Sequence, residues 1–118
     1  MNILIIEDNL HFIALISIVF KIVLPESEID YASNKMDALQ LLQEKDYAVI
    51  TLDGELERGD HGRDILKEIA PEQLQKIVAI SSDEHFLIEC SKNDIKSIDK
   101  SKDLVAGLKK ILTVRGII

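Results

Sequence analysis

Three short apolar runs, Ile3–Ile6, Ala48–Leu52 and Ile77–Ile80, constrain this chain more than any other feature. Each is bounded by charged or polar residues. A run without polar alternation has two faces to bury, which suits a strand covered on both sides in a parallel sheet. Two weaker runs, Glu28–Ala32 and Ile95–Ile98, read as strands nearer the sheet edges. Helical patterns separate the runs. The apolar stretch Leu10–Leu24 comes first, and Asn34 is then placed to cap a helix carrying Met36, Leu39 and Leu42. Ile65, Leu66 and Ile69 mark a third helix, stopped before Pro71, and Phe86, Leu87 and Cys90 mark a fourth. Ser101 is placed to cap the last, which carries Leu104, Val105, Leu108, Ile111 and Leu112 on one face. The order βα, five times over, predicts an α/β fold: a doubly wound five-stranded parallel sheet with helices on both faces.

The 118 residues fit one domain, 1–118, with one core. Lys and Arg total 14 against 21 Asp and Glu, a net charge of −7, so direct contact with nucleic acid is not expected. Cys90 is the only cysteine; it offers no intramolecular disulfide or metal cluster and reads as buried packing in a reducing compartment. No basic, then apolar, leader opens the chain. Leu10–Leu24 is short of the roughly 20 residues that cross a bilayer and carries His11, Ser17 and Lys21. A cytoplasmic domain that engages no membrane is the expectation. On a helical wheel Ile18 and Ile22 fall beside His11, leaving the first helix more apolar surface than a solvent face needs. That surplus points to a homodimer or a docked partner.

The first run, "ILII", leads straight into Glu7 and Asp8. In a doubly wound sheet the functional crevice lies beyond the carboxyl ends of the strands. Glu7 and Asp8 reach that rim from the first strand, Asp53 from the third, and Ser81 and Lys100 from the fourth and fifth. Two unit charges about 5 Å apart repel by roughly 3 kcal/mol at an effective dielectric of about 20. A hard dication among the acids reverses that sign, and an oxygen-rich site of this kind suits Mg²⁺. Asp53 then reads as a nucleophile able to form an aspartyl phosphate, with Lys100 and Ser81 meeting the charge on the transferred oxygens.

The segments "LIIEDN" (4–9), "YASNKMDALQLLQEKDYAVITLD" (31–53), "IVAISS" (77–82) and "SIDKS" (97–101) together resemble the receiver domain of two-component response regulators. The resemblance covers essentially the whole chain and implies the flavodoxin-like (βα)5 receiver fold, here without an output domain. It implies that Asp53 accepts phosphate from a histidine kinase or a histidine phosphotransfer protein, in a signalling rather than an enzymatic role. By the same resemblance Asp8 binds Mg²⁺ directly and Glu7 through water. The carboxylate of Asp53 and the backbone carbonyl of Glu55 complete the metal site, Ser81 and Lys100 contact the phosphoryl oxygens, and a downstream protein reads the result.

The sequence also departs from that family. Ser101 follows Lys100 where a cis proline is usual; a non-proline cis bond costs about 2.5–4 kcal/mol, which leaves open both the geometry of that bond and the aim of Lys100. Glu57 stands near the place of a proline usual in the loop after Asp53. The span from Ser81 to Lys100 is shorter than usual, and Ser97 occupies the position of the aromatic switch residue, so the usual relay is not expected.

Simpler roles exist for the same residues. Asp8 or Asn9 can cap the next helix, Ser81 can be a strand-end cap, and His11, His61 and His85 read as surface residues without metal spacing. Gly59 and Gly62 read as loop flexibility and form no phosphate-binding loop. Rival functions are a haloacid dehalogenase-like phosphatase, for which "TLDGE" is a loose match on the wrong strand, and a degenerate receiver that binds without phosphorylation. A flavin binder is a third, but "EDNLHF" lacks its phosphate loop.

Overall fold

The computed structural model describes Met1–Ile118. Five strands, β1 (Asn2–Ile6), β2 (Glu28–Ala32), β3 (Val49–Leu52), β4 (Ile77–Ser81) and β5 (Lys96–Asp99), form one all-parallel sheet in the order β2-β1-β3-β4-β5. The runs end within a residue of their expected limits, and the two weaker ones are the sheet edges. Six α-helices connect and follow the strands: α1 (Leu10–Val23), α2 (Lys35–Glu44), α3 (Gly62–Glu68), α4 (Pro71–Leu74), α5 (Glu84–Lys92) and α6 (Leu104–Val114).

Alternate residues of the central strands feed two cores, where one was expected, because the sheet divides them. Leu4, Ile6, Ile50, Leu52 and Ala79 pack with Ala38, Leu42, Ile65, Phe86 and Cys90. Ile3, Ile5, Val49, Val78 and Ile80 pack on the other face with Ile16, Val19, Phe20, Leu104, Leu108 and Leu112. This is why the runs are apolar throughout.

Asn9 and Asn34 cap α1 and α2: Asn9 Oδ1 accepts from the amides of His11 and Phe12, and Asn34 Oδ1 from that of Asp37. The last helix corrects the expectation. Asp103 caps α6, its Oδ1 accepting from Ala106 N at 3.0 Å, while Ser101 turns back and donates its amide and hydroxyl to Asp99 Oδ1. The carboxylate one position before the helix takes the role expected of the hydroxyl. The third helix stops before Pro71 as expected, ending at Glu68 with Ile69 as its C-cap, and Pro71 opens a separate turn, α4, its fixed φ suiting a first helical position. On α1 the surplus apolar face is present, with Leu10, Ile18 and Ile22 at 81, 54 and 68 % exposure. No helix is long and apolar enough to cross a membrane.

One group in the core is unsatisfied. Thr51, fully buried on β3 between Ile5 and Val78, has a hydroxyl without a hydrogen-bond partner. Thr51→Val removes that hydroxyl at constant shape and is expected to stabilise the fold by about 1 kcal/mol. Urea unfolding checks this; a lower midpoint for the variant would show that the hydroxyl has a partner.

Candidate functional site

The strand order reverses between β1 and β3, and the crevice opens beyond their ends. The ladder continues one residue past each strand: Glu7 N donates to Ala32 O, Asp53 N to Ile6 O and Lys100 N to Ser81 O, at 2.9 to 3.0 Å. Sheet pairing itself therefore places the three residues on one rim. Lys100 Nζ lies 3.0 Å from Asp53 Oδ2 and 2.8 Å from Glu7 Oε1, bridging residues distant in sequence. The Lys100–Ser101 bond is trans, and the ammonium still reaches Asp53.

Glu7 is 1 % exposed. Its Oε2 accepts from the amides of Asp8 and Asn9, both at 3.1 Å. Its Oε1 has no hydrogen bond of good geometry, despite the nearby ammonium. Burial pushes the Glu7 carboxyl up to about 7; Lys100 opposes the rise and the neighbouring Asp53 adds to it. Burial disfavours the Lys100 ammonium as well, but Glu7 and Asp53 outweigh it and hold that pKa above the ordinary lysine range.

Carboxylate oxygens of Glu7, Asp8 and Asp53 lie within 4.8 Å of one another, buried except at Asp8. Fully ionised, three carboxylates and one ammonium leave two negative charges, which a single dication neutralises. The donors are all oxygens, Glu7 Oε1 is buried beside the Lys100 ammonium, and no hydrophobic residue lines the crevice of about 660 Å³. These features fit Mg²⁺ with several retained waters. Glu55 lines the same crevice. Asp8→Asn is expected to lower Mg²⁺ affinity roughly tenfold or more, since even outer-shell changes cost that much. The metal-free fold should hold or gain slightly as repulsion is relieved. Calorimetric titration giving equal affinity for both forms would dismiss the site.

Ser81 caps the strand end, its Oγ accepting from Asp83 N at 3.1 Å, and it also lines the crevice beside Asp53. Asp83 in turn caps α5, its Oδ1 accepting from the amides of His85 and Phe86. His85 borders the crevice, whereas His11 is an exposed residue packed edge-on to Phe12.

Gly62 corrects the reading of loop flexibility. A Cβ there would lie 2.2 Å from the Asp53 carbonyl oxygen, and Gly62 N donates to Gly54 O at 2.9 Å. A Cβ on Gly54 would meet the Phe86 ring at 2.9 Å and Ser81 Oγ at 3.0 Å. Phe86 is thus the shelf beneath the acceptor loop. Further along, Lys35 N donates to Asp60 Oδ2 and Glu57 N to Ser33 O, tying the loop to the start of α2. Two residues were missed from the sequence, Phe86 here and Phe12 beneath Lys100, because an aromatic at helical spacing carries no signal beyond core packing.

The fold has many solved counterparts, while no curated protein matches the chain. The signal receiver domain of a DNA-binding response regulator from Colwellia psychrerythraea is 22 % identical, with a TM-score of 0.80 over 98 % of each chain. The receiver domain of a sensor histidine kinase from Pseudomonas aeruginosa, with a magnesium ion coordinated in its active-site cleft, is 18 % identical. Its TM-score is 0.73 over 94 % of this chain and 93 % of that one. A phosphorylated cyanobacterial phytochrome response regulator is 21 % identical, also at 0.73, over 94 % of this chain and 87 % of that one. Residues 3–112 match the model of the response regulator receiver domain, and the chain belongs to that family.

Proposed function

We propose that residues 1–118 act as a single cytoplasmic receiver domain. Asp53 accepts a phosphoryl group from the phosphohistidine of a histidine kinase or phosphotransfer protein, and a downstream protein reads the changed surface. The observation that carries this is the Lys100 ammonium bridging Asp53 and Glu7 at the end of the central strand. A carboxylate oxygen of Asp53 attacks phosphorus as the P–N bond of the donor breaks, and the electron pair leaves on the imidazole nitrogen. Lys100 and Ser81 meet the charge that develops on the equatorial oxygens. Glu7, Asp8, Asp53 and the Glu55 carbonyl would hold Mg²⁺, which supplies further neutralisation when bound. The magnesium ion in the Pseudomonas receiver and the phosphorylated state of the cyanobacterial one support this reading. Asp53 directly follows the third strand, against the phosphatase reading, whose nucleophile belongs on the first. The exposed aliphatics of α1 offer a face for a docked partner or for a second copy of the chain.

With Mg²⁺ and acetyl phosphate, the intact mass should rise by about 80 Da, the added phosphoryl group. A folded, Mg²⁺-binding protein that stays at its starting mass would overturn phosphotransfer in favour of the degenerate receiver.

The change of surface should stay near the site. Ser97 is exposed on the edge strand β5 and lacks the volume to fill a space vacated by Ser81. Added charge acts instead on the Gly54–Gly62 loop and the Ser81–Asp83 turn. The contacts of Asp60 and Glu57 carry it on to Ser33–Lys35. Amide shifts with beryllofluoride check this. If the largest remote changes fall in Ile95–Ile98 and Leu104–Leu112, the relay runs elsewhere.

A further inference from the structure

Lys100 Nζ sits over the face of the Phe12 ring, 4.3 Å from its centroid. The ammonium, its side chain only 11 % exposed, thus has three neighbours: the Glu7 carboxylate, the Asp53 carboxylate and the ring. They differ in what happens to them when the site works. Asp53 becomes an acyl phosphate and loses its charge at the attacking oxygen. Glu7 belongs to the acidic cluster that a dication would claim. Only the ring is left unchanged by either event.

From this difference we propose that Phe12 is a positioning residue for Lys100, holding the ammonium at the oxygens it must meet; this rests on Asp53 being the phosphoacceptor. Lysine carries a compact charge on a flexible four-carbon stem and brings no fixed fork of donors to orient itself. A ring face attracts the cation through its quadrupole without neutralising it. A third carboxylate in the same place would compete with the phosphoryl oxygens for the charge. The ring is itself anchored where the site is built. Phe12 N donates to the α1 cap, Asn9 Oδ1, at 3.3 Å, and Asn9 N donates to Glu7 Oε2. The ring and the buried acid are therefore fixed by one short segment, Glu7 to Phe12.

The ordinary alternative is that Phe12 only fills space beside the second core, which it also touches. Leucine fills much of that space without a π face, whereas tyrosine keeps the face, so the two substitutions separate the readings. In wild type the ring current should move the Lys100 ε-methylene protons upfield. Phe12→Leu should abolish that shift and slow phosphoryl uptake from acetyl phosphate roughly fivefold, equivalent to about 1 kcal/mol. Mg²⁺ affinity should be unchanged, because the ring touches no ligand. Phe12→Tyr should keep both the shift and the rate. Amide spectra establish that each variant is folded, and Phe12→Met replaces the leucine variant if that one is not. An unchanged Lys100 shift in the leucine variant, or uptake at the wild-type rate once the shift is lost, overturns the proposal. Wild-type protein that takes up no phosphoryl group overturns the phosphoacceptor reading instead, and the Lys100 resonances then decide on their own whether the ring holds the ammonium.

Discussion

With Mg²⁺ and acetyl phosphate present, Asp53→Asn is expected to take up no phosphoryl group while wild type gains about 80 Da, because an amide lacks the anionic oxygen that attacks phosphorus. The loss should be chemical rather than structural. Asparagine keeps the volume and an oxygen to accept from Gly54 N, which in wild type donates to Asp53 Oδ1 at 2.7 Å. Lys100 keeps Glu7 as an ion partner at 2.8 Å. The substitution also removes one of three clustered negative charges, so the metal-free variant should unfold no earlier than wild type. The other acids are poor substitutes. Glu7 is buried, with one oxygen held by two amides and the other beside the ammonium. Asp8 stands on the exposed rim, without the lysine contact. Intact mass before and after incubation decides the matter: a persistent adduct on the variant would move the acceptor to one of these neighbours.

What the sequence made legible follows from how many groups each feature involves. The central strands are apolar at every position because two cores claim alternate residues, and runs such as Ile3–Ile6 and Ile77–Ile80 say so directly. Glu7, Asp53 and Lys100 were legible because each ends a strand, and parallel strands bring their ends to one rim whatever their separation along the chain. The cap of α6 was less so, since Ser101 and Asp103 are both good capping residues and only the turn at Asp99 decides between them. The turn α4 is a single helical turn, too short for a periodic pattern, although Pro71 marked its start. The roles of Phe12 and Phe86 depend on side chains that face a lysine and two glycines across the fold. No local spacing encodes such contacts.

Gly62→Ala is expected to destabilise the domain by about 2–3 kcal/mol, against the usual sign for this change in a helix. At an ordinary helical position, alanine for glycine gains roughly 0.5–1 kcal/mol. Gly62 opens α3, and its amide donates to Gly54 O across the acceptor loop. A Cβ there would stand 2.2 Å from the carbonyl oxygen of Asp53 and 3.0 Å from the Phe86 ring. The first neighbour is backbone, in the peptide whose Gly54 N donates to Asp53 Oδ1 at 2.7 Å, so it cannot swing aside as the end of a flexible side chain would. Either α3 moves outward or the end of β3 bends, at the cost typical of overpacking a close-packed site. Both movements displace Asp53 relative to Lys100 and Ser81, so phosphoryl uptake should fall along with stability. Gly107 is the control, since a Cβ there meets only the side chain of Ile98, at 3.3 Å and beyond. Gly107→Ala should therefore leave stability nearly unchanged, with helix propensity offsetting mild crowding. Urea unfolding of both variants, with uptake from acetyl phosphate measured alongside, separates the two cases. If Gly62→Ala unfolds at or above the wild-type midpoint, the close approach of α3 to the Asp53 carbonyl is not what fixes the acceptor loop.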